Sequence, residues 1–297
     1  MDQSVPFGVL LRRWRASRRM TQMDLALAAN SSTRHLSCLE TGRSKPSREM
    51  VLRVCEHLAV PLRDRNALLL AAGFAPAFHE RSLNELAAAR LAMERILQAH
   101  LPYPAFAVDR HWNVVLSNGA LPQLYEGCLP HLLRNPVNAV RLILHPLGMG
   151  PRIVNYHEWR GHTMAVLKHQ IDASPDPIIQ DLLDEVMSYS PASDSDRFWA
   201  TDGPERFAMP LRIATRLGTA SFLNTTTIFG TPTDVTLSEL ALEMLFPSDE
   251  ITDALVKTML RELTALPAAE LQPQIPEYRA NGSIHGEDGD EAASHNR

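Results

Sequence analysis

The stretch "TQMDLALAANSSTRHLSCLETGRSKPSREMVLRVCEHLAV", residues 21–60, decides how the front of the chain folds. Thr21 is a good N-cap, and Asp24, three residues on, places an acid in the first turn, so the spacing predicts a helix over "QMDLALAA". Asn30 and Ser31 break it. Asparagine tolerates the left-handed conformation that a tight inter-helix turn needs, and Ser31 or Ser32 can cap the next helix, "STRHLSCLE", with Leu36 and Leu39 facing inward. Gly42 stands near the end of that helix, and "REMVLRVCEHLAV" carries Val51, Val54, Cys55 and Leu58 on one face of another.

Upstream, Phe7, Leu10, Leu11 and Trp14 repeat at i, i+3, i+4, i+7 and predict a helix from about residue 6 to 19; downstream, "LRDRNALLLAAGF" predicts a fifth. Two helices joined by a tight turn and flanked by others match the helix-turn-helix unit. The stretch resembles the Cro/C1-type (XRE) helix-turn-helix family at Thr21-Gln22, Ala26, Leu36, Leu39, Glu40-x-Gly42 and Pro46-Ser47. It departs at Asn30, where Gly is usual, although Asn is the next-best residue for positive φ. The resemblance implies that the start of the third helix enters the major groove, with base-edge contacts from Ser32, Thr33, Arg34 and Ser37. Arg34 can offer a bidentate fork to guanine, and short hydroxyls suit a groove already holding a helix. Gln22, Arg43 and Lys45 are placed to hold phosphates, which set register without carrying sequence information. The plain alternative leaves Arg34 a solvated surface residue.

Composition agrees with this order. A chain of 297 residues with 45% hydrophobic content can bury a sizeable core in two domains. Residues 1–80 hold 12 Lys and Arg against 7 Asp and Glu, a net +5, while the other 217 hold 17 against 27, a net −10. Arg12, Arg13, Arg15, Arg18 and Arg19 crowd the first helix, which suits a polyanion or a solvated face. Cys38, Cys55 and Cys128 form neither a disulfide framework nor a Cys-x-x-Cys zinc pattern. No apolar stretch approaches the roughly 20 residues that span a bilayer, and no signal peptide is visible, so the expectation is a cytoplasmic protein without a membrane partner.

"AGFAPAF" (72–78) breaks the helical pattern, so the predicted division is a DNA-binding domain over 1–76, a connecting helix within 77–100, a second domain over 101–268 and a disordered tail over 269–297. Ser82-Leu83-Asn84-Glu85 reads as a capping box, and the helix it opens either couples the two domains or packs on its own. The texture then changes. Alternation predicts strands over 103–108 and 112–117 around Asp109-Arg110, a second pair over 210–230 with its turn at Leu217-Gly218, and a fifth in "SELALEMLF" (238–246). The fifth also satisfies a helical period, but alternation sets both glutamates on one face. Helices are predicted at 136–145, about 155–171 and 177–188, and from a Ser248 cap to about Leu266. Two strands, a helical insert and three strands is the order of a PAS-type sensor. The expected fold is α+β overall: an all-α five-helix unit followed by a PAS-like antiparallel sheet covered by helices.

"YPAFAVDRHWNVVLSN", "NPVNAVRLILHPLGMGPRIVNYHEW" and "GTASFLNTTTIFGTPTDVTLSELALEMLFPSD" look like the ligand-binding domain of MmyB-like transcription regulators, which place a PAS-like domain after an XRE helix-turn-helix. That resemblance implies a transcription regulator that binds double-stranded operator DNA as a homodimer. It also implies that the second domain senses a small, largely apolar molecule, a fatty acid or similar amphiphile, with no other cofactor.

No catalytic constellation emerges. "HEWRGH" (157–162) resembles the zincin motif, but its histidines stand at i and i+5, with Gly161 where the second ligand belongs, and they diverge by about 140° around a helix. There is no Gly-x-Ser-x-Gly elbow, Walker loop or dinucleotide fingerprint. An enzymatic second domain, or a non-sensing antitoxin or scaffold, are the competing classes. In "NPVNAVRLILHPLG" (135–148), Asn135 reads as N-cap, Pro136 as N1 and His145 as the last residue before Pro146. Val137, Val140, Ile143 and Leu144 share one side, and Asn138, Arg141, Leu142 and His145 the other. The polar side either meets water or another helix, or it faces a ligand; in the second case Arg141 pairs with an anionic head and His145 hydrogen-bonds it.

Overall fold

The computed structural model describes residues 5–189 and 209–264. Five helices come first: α1 (Phe7–Ser17), α2 (Gln22–Ala28), α3 (Thr33–Glu40), α4 (Arg48–His57) and α5 (Leu62–Ala71). Their boundaries follow the caps. Thr21 and Asp24 form a reciprocal capping box at α2, Ser32 accepts from the His35 N–H at α3, and Ser47 accepts from Met50 at α4. Asn30 sits at φ 50°, the left-handed turn that lets α3 swing away from α2. Leu11, Leu25, Leu36, Leu39, Val51, Val54 and Leu68 close one core. At Gly8, α1 lies so near the end of α3 that an added Cβ would stand 2.4 Å from the Glu40 carbonyl oxygen, so the absence of a side chain sets that packing distance.

A second unit follows. It holds α6 (Ala87–Ala99), β1 (Ala105–Val108), β2 (Val114–Ser117), α7 (Ala139–Leu144), α8 (Tyr156–Ala173), α9 (Pro177–Ser188), β3 (Leu211–Thr215), β4 (Gly218–Ile228), α10 (Val235–Ser238), β5 (Ala241–Pro247) and α11 (Glu250–Thr264). The strands form one antiparallel sheet in the order β2-β1-β5-β4-β3, so the first and last strands are neighbours at its middle. "ALEMLFP" is a strand, as alternation predicts: β1 pairs with β5 through Phe106 opposite Glu243 and Ala107 opposite Leu242, which sends Phe106 and Glu243 to one face and Ala107 and Leu242 to the other. On the Ala107 face α6 packs through Met93 and Leu97. The Phe106 face is covered by α7, α8 and α9, with Leu144, Leu167, Val186, Ile213 and Phe222 in its core. The fold is α+β, with the PAS-like layering that the element order implies.

Several boundaries move, each for a local reason. The capping box of Ser82 and Glu85 forms, with the Ser82 hydroxyl 2.7 Å from the Glu85 carboxylate, but it closes a turn and α6 begins only at Ala87. Asn135 and Pro136 do not start α7. Residues 137–138 run extended beside the β1–β2 turn, where the Val137 carbonyl accepts from Val114 (2.8 Å) and the Ala139 N–H donates to Trp112 (2.8 Å), so the cap falls on Asn138, whose Oδ1 accepts from Arg141 at 3.0 Å. The helix also presents different sides from those predicted: Leu142, assigned to the polar stripe, is 2% exposed. After α7 the chain doubles back beneath it, and a Cβ at Gly148 would meet the Leu142 carbonyl oxygen at 2.4 Å. Finally, Ser248 donates to the Ser221 carbonyl, and Asp249 caps α11 by accepting from Thr252. The tail expected to be disordered, 269–297, lies outside the described residues.

Candidate functional site

The first site is the outer surface of α3. Thr33 and Arg34 are exposed, Ser37 is half-buried, and Arg43 and Lys45 are exposed on the turn that follows. Among the described residues, Arg34, Arg43 and Lys45 take part in no ion pair, which leaves their full charge toward solvent. Ser32 uses its hydroxyl as the α3 cap, and Gln22 gives its amide N–H to Glu40 at 2.7 Å. Glu40 is also held by Arg15 in a two-pronged pair (2.6 and 3.0 Å), so this carboxylate ties α1, α2 and α3 together. Of the five arginines of α1 and its end, Arg15 is engaged by Glu40, and Arg18 donates to the Leu58 carbonyl and covers the Trp14 ring; Arg12, Arg13 and Arg19 remain exposed.

The second site is a cavity of about 70 Å³ between the sheet and its helical cover. Phe106 of β1, Leu211 of β3, Asn224 of β4 and Leu245 of β5 form its floor, while Leu142 and Ile143 of α7, Met149 of the α7–α8 connection and Trp159 of α8 form much of its roof. Its lining is almost wholly hydrocarbon and aromatic, with a polar side chain on the floor. There Asn224 donates through Nδ2 to Glu243 at 2.7 Å, and the Thr226 hydroxyl lies 3.0 Å from the same carboxylate. Glu243 is 3% exposed, and burial raises its carboxyl above the ordinary range while those two donors pull it back only in part.

The three residues singled out on "NAVRLILHPLG" stand elsewhere. Arg141 makes a two-pronged pair with Glu185 of α9 (2.7 and 2.6 Å), and Tyr189 also donates to that carboxylate. His145 accepts through Nδ1 from the Leu147 N–H and lies edge-on to Tyr189, and burial lowers its pKa. Asn138 caps α7. None of the three lines the cavity, and the groups that do were hard to find in advance because Asn224 reads as one polar residue in a threonine-rich strand. In "HEWRGH", His162 stacks obliquely on Trp159 and His157 lies beside Tyr156. Among the described residues no group of three or more His, Cys, Asp or Glu is arranged to hold a metal, and no helix is long and apolar enough to cross a membrane.

The two units touch through charge. Arg63 of α5 reaches Glu239 after α10 with Nε and Nη2 (2.7 and 2.9 Å) and Glu80 at 2.6 Å. Glu239 also faces Arg110 of the β1–β2 turn at 3.7 Å, and Arg110 lies 3.3 Å from Asp176, which His111 approaches at 3.0 Å. Asp64 of α5 accepts from Ser174 at the end of α8 (2.8 Å). Among the described residues these contacts come from α5, whereas α6 packs on the sheet of its own unit.

Comparison with known proteins divides the chain in the same sequence. Residues 6–68 match a helix-turn-helix domain, and residues 89–259, more than half of the chain, match the MmyB-like transcription regulator ligand binding domain. The crystal structure of the clp gene regulator ClgR from Corynebacterium glutamicum is 31% identical over 32% of this chain and 90% of that chain, with a TM-score of 0.20. No curated protein matches.

Proposed function

The chain belongs to the MmyB-like transcription regulators and is a DNA-binding regulator, and on that premise we propose that a small apolar molecule in the cavity controls how α3 meets its operator. The observation that carries the reading is the apolar cavity between the sheet and α7–α8, inside the region matched to the ligand binding domain. The proposed working unit is a homodimer whose two α3 helices enter major grooves about 34 Å, one helical turn, apart. Thr33, Arg34 and Ser37 read base edges, Arg43 and Lys45 hold phosphates, and Ser32 and Gln22 contribute through the packing of α3 as much as through the groove. The ligand is a largely apolar amphiphile with a fatty-acyl-like chain.

At about 70 Å³ the cavity is roughly half the ~150 Å³ that admits benzene, so an acyl tail fits only when side chains of the roof give way, Met149 and Ile143 first among them. Ligand then favours a shape with α7 displaced, and a ligand shifts an equilibrium only by its preference for one shape. Asn138 supports a route outward: it caps α7 and also donates to the His111 carbonyl (2.8 Å), next to Arg110 and Glu239, and so to Arg63 on α5.

Two results follow. Arg34→Ala is expected to weaken operator binding about 5- to 150-fold, corresponding to ~1–3 kcal/mol for a bidentate base contact, with little change in salt dependence. An unchanged electrophoretic mobility shift would remove α3 from the groove. Glu239→Gln is expected to leave the cavity's affinity for its ligand intact while shrinking the ligand's effect on DNA affinity, a coupling that ordinarily amounts to about 5–150-fold. Fluorescence anisotropy on labelled operator, with and without ligand, measures both. Mass spectrometry of ligand extracted from the denatured, purified chain tests the sensing itself.

A further inference from the structure

The cavity has a polar group on its floor, and that group's chemistry constrains which head group a ligand can bring. Asn224 on β4 is fixed from behind: its Nδ2 donates to Glu243 at 2.7 Å, and Glu243 is steadied by the Thr226 hydroxyl on the same strand face. That bond orients the amide, leaving Oδ1 on its other side. Among the described residues Oδ1 has no hydrogen-bond partner although the atom is buried, and Asn224 is part of the cavity lining. A buried acceptor without a donor carries a desolvation cost that persists until something fills it. Among the described residues no cation is paired with Glu243, so the group behind Asn224 adds acceptor oxygens and no positive charge.

We propose that Asn224 is the head-group anchor of the cavity, and that it selects an apolar molecule ending in a neutral hydrogen-bond donor, an alcohol above all, over a carboxylate of the same chain. The proposal rests on the reading of the cavity as a sensor site and refines it from a broad amphiphile to a defined head group. A hydroxyl gives its hydrogen to Oδ1 and satisfies the orphan acceptor. A carboxylate has no hydrogen to give, and it would bring its charge against Oδ1 and the Glu243 carboxylate behind it. An ether of equal length fills the same volume and gives nothing. The opposite preference requires donors elsewhere in the lining, and among the described lining residues the Tyr125 phenol and the Trp159 indole are side chains that carry one.

The test titrates the full-length protein, stripped of ligand, with octanol, heptyl methyl ether and octanoate by isothermal titration calorimetry at neutral pH. Octanol is expected to bind roughly tenfold more tightly than the ether, as one hydrogen bond to an otherwise unpaired acceptor allows, and octanoate more weakly than octanol. In Asn224→Leu the distinction between octanol and the ether should vanish while both still bind. The wild-type series decides the matter even if that variant folds poorly. Tighter binding of octanoate than of octanol would assign the head group to Tyr125 or Trp159 and overturn the proposal. Equal affinity for octanol and ether would overturn it too, leaving the sensor reading in place. No binding by any of the three would overturn both.

Discussion

Glu40→Ala is expected to cost about 2–4 kcal/mol of stability, toward the lower end of the range for a buried pair, and to abolish operator binding, because it leaves a part-buried arginine without its counter-ion. The Glu40 side chain is 4% exposed and that of Arg15 15%, and they meet through two hydrogen bonds, with Gln22 supplying a third to the same carboxylate. With Glu40 gone, Arg15 keeps, among the described residues, the Met20 carbonyl at 2.7 Å. Glu40→Gln keeps an acceptor and should cost less. Acid gives the same answer without mutation. Burial alone would raise the Glu40 carboxyl, but the hydrogen bonds from Arg15 and Gln22 and the charges of Arg15 and Arg12 outweigh it, so the net shift is downward. Its contribution is therefore complete above the unfolded carboxyl value of about 4.3 and is lost as pH falls through the lower folded value. Urea melts followed by circular dichroism, at neutral and acid pH, measure both effects. A loss below about 1 kcal/mol at neutral pH would mean that α1 and α3 hold without this tie.

The amino-terminal helices were legible because their signals are local. Each N-cap hydroxyl acts on an N–H three residues away, and Asn30 takes the positive φ that its position between two helices demands. The network around Glu40 was not legible, since 25 residues separate Glu40 from Arg15. The pattern of glutamate within the helix-turn-helix match marks the position without saying what it binds. In the second unit, alternation placed the strands, and it favoured a strand over a helix for β5 on the ground that both glutamates would share a face; only β5 begins at Ala241, so Glu239 falls outside it and turns toward Arg63 instead.

The stretch "NAVRLILHPLG" shows where periodicity stops. Helical spacing grouped Arg141, Leu142 and His145, yet in a six-residue helix the wall that each side meets is decided by chain folding back from far away. Arg141 finds Glu185, 44 residues on, while Leu142 points to the cavity, helped by Gly148 passing close beneath it. The same reason hid Asn224: its partner Glu243 is 19 residues away on the adjacent strand. Long-range pairings thus determine the polar group on the cavity floor and the charged seam between the units, and both depend on strand register rather than on any motif.

Leu142→Ala tests whether that cavity responds to ligand as its packing predicts. The side chain is 2% exposed and lines the cavity, so truncation should cost about 2–5 kcal/mol, the spread reflecting how far α7 can settle into the space. The settling is limited, because the Leu142 carbonyl accepts from Met149 at 2.9 Å and the backbone of α7 is tied at its start by Asn138. The space left behind joins a cavity that already exists. A small apolar ligand should therefore bind the variant more tightly than the wild type and return part of the lost stability, about 2.7 kcal/mol when its concentration is a hundred times its Kd. Leu182→Ala is the control: Leu182 on α9 is 3% exposed and is not among the cavity-lining residues. It should lose comparable stability and gain from ligand no more than the wild type does. Thermal melts with and without octanol separate the two variants. Equal rescue of both would show that the ligand binds somewhere other than the space between the sheet and α7, and the link from cavity to α5 through Asn138 and Glu239 would lose its starting point.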